Sequence, residues 1–359
     1  VAELKRQGKD IISLNVGEPD FGTPDYIKVA GIKAITDSFT KYTPGNGILE
    51  LREEIIKKLK KENGIEYALN EVTTAVGAKQ AIASTMMVIA GPGDEVLLPI
   101  PCWVSYTEMI RLAGATPVFV PVREDNYELD LDAIEQAITP RTKVLVLPFP
   151  NNPTGGIMSR EDLEAIAQVL RGTDIMVVSD EIYAELTYGQ HHVSLANLPD
   201  MYERTLVVNG FSKSHAMTGW RMGYVCAPQP MIAALTKLHQ FGIMSAPTTS
   251  QYAAVEALRN GDEDVAMMRE EYNGRRRYVL ERFKEMGLSC FEPFGAFYAF
   301  PCIKDLGMTS DEFATKLLQT KKVAVVPGTA FGACGEGFLR ISYAYSVSYT
   351  HLRAHETCA

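Results

Sequence analysis

Short apolar runs alternate along the chain with longer amphipathic segments. Six runs rich in aliphatic and β-branched residues predict buried strands at 96–99, 117–120, 143–147, 175–179, 205–208 and 223–227. Residues 159–171 repeat leucine and isoleucine at helical spacing, and Ser159 with Asp162 forms a candidate capping box. This alternation predicts an α/β fold in which helices cover both faces of a mostly parallel sheet.

The pattern changes in the last third of the chain. A highly charged helix is predicted from Glu270 to Met286, and shorter strands follow at 297–301, 323–327 and 338–342. These elements indicate a second, smaller α+β unit that the N-terminal segment joins. The predicted organisation is a large domain over 41–271, a small domain from 1–40 with 272–346, and an atypical tail over 347–359. The tail has no sustained helical apolar stripe and reads as non-native sequence.

Composition and charge narrow the functional classes. Hydrophobic residues make up 46% of the chain and charged residues 22%, which excludes a disordered chain. The formal charge of −9 disfavours a nucleic-acid binder. The six cysteines form no C-x-x-C pair, so we expect no metal centre and a reduced, cytoplasmic setting. No apolar stretch is long enough to cross a membrane.

Polar side chains follow three of the predicted strands. Asn152 lies in the turn at 148–156, Asp180 follows the strand at 175–179, and Lys213 follows the strand at 205–208. Each has an ordinary reading alone, as a turn, a helix cap or a surface charge. In a parallel sheet, however, the carboxyl ends of the strands meet at one edge, where ligands bind. An amine, a carboxylate and a neutral donor at one edge are the groups that pyridoxal phosphate requires.

A separate turn could hold the phosphate of that cofactor. Residues 76–80 read Val-Gly-Ala-Lys-Gln, a turn of small residues that opens a predicted helix. The free N–H groups and the dipole of a helix N-terminus favour an anion.

These motifs carry a resemblance to a known family. From 13–20 (Ser-Leu-Asn-Val-Gly-Glu-Pro-Asp) to 339–344 (Leu-Arg-Ile-Ser-Tyr-Ala), the chain resembles the class I and II aminotransferases of the aspartate aminotransferase superfamily. It is most similar to the bacterial and archaeal branch with aspartate and aromatic aminotransferases. The resemblance implies the pyridoxal phosphate (PLP) fold type I: a three-layer α/β/α large domain and a smaller α+β domain.

The resemblance also implies roles around the cofactor ring. Lys213 matches the lysine that binds the cofactor as a Schiff base and moves the substrate Cα proton. Asp180 matches the partner of the pyridine nitrogen. Tyr183 and Asn152 match the groups that hydrogen-bond the phenolic oxygen, and Asn152 also borders the substrate. Trp103 matches the aromatic residue that stacks on the ring, although a tryptophan after a strand is commonly a core residue.

Further positions match the phosphate and substrate contacts of the family. The phosphate contacts are Gly77, Ala78, Lys79, Ser212 and Arg221. Tyr42 matches the tyrosine that reaches the phosphate of the neighbouring subunit, which implies a homodimer. Arg340 matches the arginine that binds the substrate α-carboxylate as a bidentate pair, and Gly17 matches the backbone contact on that carboxylate.

The activity implied is transfer of the amino group of an aromatic or broad-range amino acid, aspartate included, to 2-oxoglutarate by a ping-pong mechanism. Two alternatives stay open: a PLP-dependent C–S β-lyase of the same fold, and a PLP-sensing regulator domain without turnover. A half-transamination assay would distinguish the lyase, which releases ammonia or a thiol.

Three features fall outside these roles. His215 stands where close relatives carry an aromatic residue. The pair His191 and His192 lies in a polar loop, which predicts a solvated position and no metal site. The arginines at 275–277 are predicted to form a solvated helix face.

Overall fold

The computed structural model describes residues 1–123 and 126–345, so the predicted tail over 347–359 lies outside the described residues. The helices are α1 (Ala2–Arg6), α2 (Asp25–Thr36), α3 (Leu49–Asn63), α4 (Gly77–Ile89), α5 (Ser105–Leu112), α6 (Leu131–Ala137), α7 (Arg160–Leu170), α8 (Gln229–Gly242), α9 (Thr248–Asn260), α10 (Asp262–Glu285) and α11 (Ser310–Lys321). None of the helices in these two ranges is both long and apolar enough to span a membrane.

The strands form one large and two small sheets. They are β1 (Ile12–Ser13), β2 (Val72–Ala75), β3 (Glu95–Ile100), β4 (Thr116–Pro121), β5 (Thr142–Leu147), β6 (Met176–Asp180), β7 (Thr205–Gly210), β8 (Gly223–Cys226), β9 (Tyr298–Ala299), β10 (Val323–Ala324), β11 (Val326–Pro327) and β12 (Leu339–Ser342). The large sheet has the order β2-β8-β7-β6-β5-β3-β4, in which β8 runs antiparallel to β2 and β7 and the other neighbouring strands pair in parallel. The predicted α/β fold is confirmed.

The strand register brings the polar strand ends together. Leu147 at the end of β5 lies opposite Ser179 on β6, and Asp180 at the end of β6 lies opposite Val208 on β7. The segments that follow these strands therefore leave the sheet at one edge, which is where the sequence places the candidate chemistry.

Alternating side chains of the central strands pack against two helical layers. On β5, Val144 and Val146 pack with residues of α4, α5 and α8, whereas Leu145 and Leu147 pack with residues of α6 and α7. Farther along the second face, Val207 packs with residues of α2, α3 and α9. Both faces of the strands are apolar because both are buried, which explains the continuous apolar runs in the sequence.

All six predicted strands are present, but the predicted burial of one of them, β4, is wrong. Thr116, Phe119 and Pro121 of β4, the edge strand at one end of the sheet, are exposed, whereas Val120 is buried. Strand β2 was not predicted, since its Val-Thr-Thr-Ala sequence is short and polar although every residue in it is buried.

Helix α7 forms as the sequence predicts. The Ser159 side chain accepts a hydrogen bond from the Asp162 N–H, and the Asp162 side chain accepts one from the Ser159 N–H, so the capping box is confirmed.

Helix α10 differs from its prediction in two ways. It begins at Asp262, eight residues before the predicted Glu270, because its first turn is acidic and suits a helix N-terminus. Its arginines are not a solvated face: the side chains of Arg275 and Arg276 are only 5% and 9% exposed, and only Arg277 is exposed. Arg275 binds Asp20 and the Ala344 carbonyl, which brings the two ends of the chain onto α10.

The smaller unit contains the predicted short strands. Strands β11, β12 and β9 form an antiparallel sheet, and β1 of the N-terminal segment pairs with β10. The domain boundaries at 40/41 and 271/272 stay a prediction.

Candidate active site

A cavity of about 480 Å³ opens at the carboxyl edge of the large sheet. The predicted site residues that line it are Gly17, Ala78, Lys79, Trp103, Asn152, Asp180, Tyr183, Ser212, Lys213, Arg221 and Arg340. They come from both ends of the chain, from the start of α4, and from the segments at the ends of β3, β5, β6 and β7.

Lys213 extends from the turn after β7 into this cavity. Its Nζ donates a 2.6 Å hydrogen bond to the Gly17 carbonyl and lies 5.9 Å and 5.6 Å from the ring centres of Tyr183 and Phe297. Burial lowers the pKa of Lys213 to about 8, although the Glu18 carboxylate acts in the opposite direction. The side chain therefore holds an amine that is easily deprotonated near neutral pH.

Asp180 is the last residue of β6, and its carboxyl group is buried. Its Oδ2 accepts a 2.5 Å hydrogen bond from the Tyr106 hydroxyl, and its Oδ1 accepts one from the Ile182 N–H. Burial nevertheless raises the pKa of Asp180 to about 6, because both hydrogen bonds only partly offset the loss of solvation. A cationic ring nitrogen beside this carboxylate would restore its usual acidity.

Arg340 on β12 reaches the cavity from the smaller unit. Its Nη1 donates to Asn152 Oδ1 at 3.0 Å and its Nη2 to the Asn15 carbonyl at 2.7 Å, so the guanidinium is fixed in place. The Tyr298 ring lies 4.6 Å from the guanidinium carbon, and the Tyr298 hydroxyl is 2.9 Å from that of Tyr183. The buried Arg340 Nε has no hydrogen-bond partner among the described residues, which leaves a donor for a bound anion.

The turn before α4 is shaped for close approach to an anion. Gly77 has a φ of +77°, and a Cβ there would lie 2.5 Å from Nη2 of Arg221, so glycine is required. Arg221 is itself held by a hydrogen bond from its Nη1 to the Thr218 carbonyl. The first N–H groups of α4 and this guanidinium converge beside the cavity.

Trp103 and Lys79 form one wall of the cavity together. The Lys79 ammonium lies 4.8 Å from the centre of the Trp103 ring. The edge of the Trp103 ring packs on Tyr106 at a centroid distance of 5.3 Å. Trp103 is partly buried: it packs against the core cluster that contains residues of α4 and α5, and it also lines the cavity.

The donor set fits pyridoxal phosphate. A lysine with a lowered pKa, a buried carboxylate and an anion-binding helix N-terminus border one cavity whose volume suits a small cofactor. The missing Cβ at Gly77 lets the Arg221 guanidinium lie against the backbone of this turn, which places a cation beside the first N–H groups of α4.

Tyr42 and His215 lie outside the lining of this cavity. Tyr42 is 83% exposed and borders a different surface cavity, with Thr40 and Ser245. Its contact with a second subunit stays a prediction. His215 is buried, its Nδ1 lies 2.8 Å from the Ser214 hydroxyl, and burial lowers its pKa to about 4.

The histidine pair was predicted to be solvated, and this is wrong for one member. His191 is exposed, whereas the His192 side chain is 14% exposed and its Nε2 lies 3.0 Å from Oε2 of the buried Glu181. The polar loop sequence gives no sign of this contact, because the carboxylate belongs to Glu181, which directly follows β6.

Sequence reasoning also missed four polar residues that line the cavity: Glu18, Tyr106, Thr218 and Tyr298. Glu18 lies inside the motif at 13–20, and Tyr106 follows Trp103 by three residues, but nothing in their spacing marks a function. Tyr298 comes from β9, and only the packing of the smaller unit brings it to Tyr183.

Comparisons with known proteins agree with this arrangement. The family described as aminotransferase class I and II matches residues 9–351. An aspartate aminotransferase of Pyrococcus abyssi is 47% identical over 94% of this chain and 88% of its own length. Aromatic-amino-acid aminotransferase 2 of Thermococcus litoralis is 44% identical over 95% and 89%. The structure of Thermus thermophilus aspartate aminotransferase with maleate superposes with a TM-score of 0.94, at 42% identity over 98% and 92% of the two chains. The chain therefore belongs to the class I and II aminotransferases, whose members depend on pyridoxal phosphate.

Proposed function

We propose that this aminotransferase accepts both aspartate and aromatic L-amino acids as donors and uses 2-oxoglutarate as acceptor in a ping-pong mechanism. The observation that carries the proposal is that Lys79, Trp103 and the guanidinium of Arg340 line one cavity, with the Lys79 ammonium 4.8 Å from the centre of the Trp103 ring. One surface then offers a cation to an acidic side chain and an aromatic face to an apolar one.

The chain's own residues hold the cofactor as the family resemblance predicts. Lys213 binds it covalently, Asp180 pairs with its ring nitrogen, and Tyr183 with Asn152 hydrogen-bonds its phenolic oxygen. The phosphate is held by Gly77, Ala78, Ser212, Arg221 and the backbone N–H of Lys79, whose ammonium lies over the Trp103 ring and stays available to the substrate. When bound, pyridoxal phosphate supplies an electron sink that makes the Cα proton of an amino acid removable.

Lys213 carries that proton. With the cofactor bound, the Lys213 Nζ would take the Cα proton of the substrate and give it back in the second proton transfer, so one side chain would serve as both base and acid. A pKa of about 8 suits this role, because the amine can accept and donate a proton near neutral pH. The Gly17 carbonyl orients the amine through the 2.6 Å hydrogen bond.

Arg340 fixes the substrate by its α-carboxylate. Asn152 and the Asn15 carbonyl hold the guanidinium in one orientation before the substrate arrives. A fixed α-carboxylate orients every donor alike, so the Cα–H bond points at Lys213 whatever the side chain is. Gly17 must be glycine here, because a Cβ would lie 2.2 Å from the Tyr298 hydroxyl.

The same geometry accounts for the proposed acceptor. 2-Oxoglutarate has a carboxylate at each end, and Arg340 with Lys79 offers one cation for each end. Because donor and acceptor use one site, they bind in turn, which is the physical basis of a ping-pong mechanism. We further propose a homodimer in which Tyr42 completes the phosphate site of the partner subunit.

The test is a titration of the holoenzyme with L-aspartate and with L-tyrosine in the absence of an acceptor. Both donors should remove the absorbance of the bound cofactor. K79Q should weaken the response to aspartate about tenfold to a hundredfold and spare tyrosine, because only aspartate loses a charged partner. K143Q, at an exposed lysine of β5, is the matched control. No response to either donor, ammonia release, or an equal effect of K79Q on both donors would contradict the proposal.

A further inference from the structure

A second carboxylate lies directly behind the predicted partner of the cofactor ring. Glu181 follows Asp180 and is only 1% exposed, yet it does not line the active-site cavity. Its Oε1 accepts hydrogen bonds from the hydroxyls of Ser179 at 2.9 Å and Ser194 at 2.6 Å. Its backbone N–H donates to the Val208 carbonyl, which fixes the residue between β6 and β7.

His192 lies against this carboxylate and supplies a compensating positive charge when its imidazole is protonated. Its Nε2 lies 3.0 Å from Glu181 Oε2, and the imidazole is mostly covered by protein. Burial opposes ionisation of Glu181, but His192 and the two serine hydroxyls outweigh it and hold the pKa of Glu181 below its usual value. Glu181 is therefore a buried anion beside Asp180.

The other groups that face the two carboxylates do not replace His192. Around Glu181 stand the Tyr67 hydroxyl and the Cys226 thiol, both neutral because burial raises their pKa. Around Asp180 stand the Tyr106 hydroxyl, which donates to it, and the Lys213 amine. Among the described residues, His192 is thus the group in contact with Glu181 that can carry a compensating positive charge.

We propose that Glu181 and His192 form a positioning pair for Asp180, which sets the pH range over which the chain retains its cofactor. A negative charge beside Asp180 favours its protonated form, and the His192 cation cancels part of that effect. The inference rests on the role proposed above for Asp180 as the partner of the ring nitrogen. Protonated Asp180 cannot pair with a cationic ring nitrogen. The charges of Glu181 and His192 therefore determine the pH at which acid releases the cofactor.

The experiment measures cofactor retention by the holoenzyme from about pH 4.5 to about pH 8. Protein is equilibrated at each pH, and free pyridoxal phosphate is measured after ultrafiltration. E181Q keeps the shape and the hydrogen bonds from the serines but removes the charge, so its release midpoint should move to lower pH. H192Q leaves the Glu181 charge uncompensated, so its midpoint should move to higher pH. Each shift should be about 0.5 to 1 pH unit.

H191Q is the matched control, because His191 is the exposed neighbour in the same loop, and its midpoint should stay that of the wild type. Shifts of both variants in the same direction, or none, would overturn the proposal, since a purely structural role predicts weaker retention in both. If E181Q does not fold, H192Q is sufficient as a test: a release midpoint at the wild-type pH or at a lower pH overturns the proposal. D180N tests the role of Asp180 separately from that of the Glu181–His192 pair. If D180N retains the cofactor like the wild type, the role proposed for Asp180 is overturned.

Discussion

The Tyr106 hydroxyl donates a 2.5 Å hydrogen bond to Oδ2 of Asp180, and both side chains are buried. Tyr106 lies on α5, whereas Asp180 ends β6, so the bond joins the helical layer to the sheet edge at the active site. It favours the charged form of a carboxyl group whose pKa burial raises to about 6.

Removing this hydroxyl should weaken cofactor binding. In Y106F the carboxylate of Asp180 loses a donor, its pKa rises further, and the affinity for pyridoxal phosphate should fall about tenfold or more. Equilibrium titration of the cofactor-free variant checks this. Y202F is the control. The Tyr202 hydroxyl donates a 2.8 Å hydrogen bond to Glu71, and neither residue lines the cavity. An unchanged affinity in Y106F would show that the bond does not support Asp180.

The lowered pKa of Lys213 predicts an unusual pH dependence of its reactivity. Only the neutral amine reacts with an acylating reagent, so the rate in the cofactor-free protein should rise with pH to a midpoint near the pKa of about 8. An ordinary lysine has a pKa of about 10.4, so its acylation rate would still be rising at that pH. Peptide mapping after labelling at several pH values measures Lys213 beside exposed lysines of the same sample, such as Lys143. Parallel profiles for the two lysines would contradict the effect of burial.

Replacing the arginine on β12 should damage both half-reactions. R340K keeps the charge but loses the planar fork that Asn152 and Asn15 hold, so kcat/KM should fall about tenfold to a hundredfold for donor and acceptor alike. Steady-state kinetics with each substrate varied measures this. R277K makes the same change on an exposed side chain of α10 and should have no effect. A loss confined to one substrate would mean that Arg340 binds something other than the shared α-carboxylate.

A glycine pair tests the phosphate turn. G77A places a Cβ 2.5 Å from the Arg221 guanidinium at a positive φ, so both cofactor affinity and stability should fall, the latter by about 1–3 kcal/mol. G274A lies inside α10 with open space around its Cβ, so it should leave cofactor affinity unchanged and stabilise the helix by up to about 1 kcal/mol. Cofactor titration and thermal unfolding measure both quantities. Equal behaviour of the two variants would contradict the geometry assigned to Gly77.

The sequence predicts the centre of this site better than its surroundings. Asn152, Asp180 and Lys213 each follow a buried strand, and a parallel sheet brings such positions to one edge without further information. Tyr298 carries no comparable local signal. It is 115 residues from Tyr183, and their hydroxyls meet only because the smaller unit packs against the cavity.

Charged groups are the least predictable from sequence, because burial depends on tertiary packing. His192 and Arg275 occur in polar or charged stretches that favour a solvated position. Each is nevertheless covered, because its side chain lies against a carboxylate from another element, Glu181 for His192 and Asp20 for Arg275. Pairs that are far apart along the chain leave no periodic pattern in the sequence.

The central claim is that Lys213 moves the Cα proton of an amino acid held by Arg340, and a single half-reaction tests it most directly. Holoenzyme is mixed with excess L-aspartate and no acceptor, and the 2-oxo acid formed is measured against ammonia. The account predicts about one equivalent of 2-oxo acid per chain, no ammonia, and a rate lower by a factor of about 10² to 10⁴ in K213A. Ammonia release, continuous turnover without an acceptor, or a K213A rate equal to the wild type would contradict it.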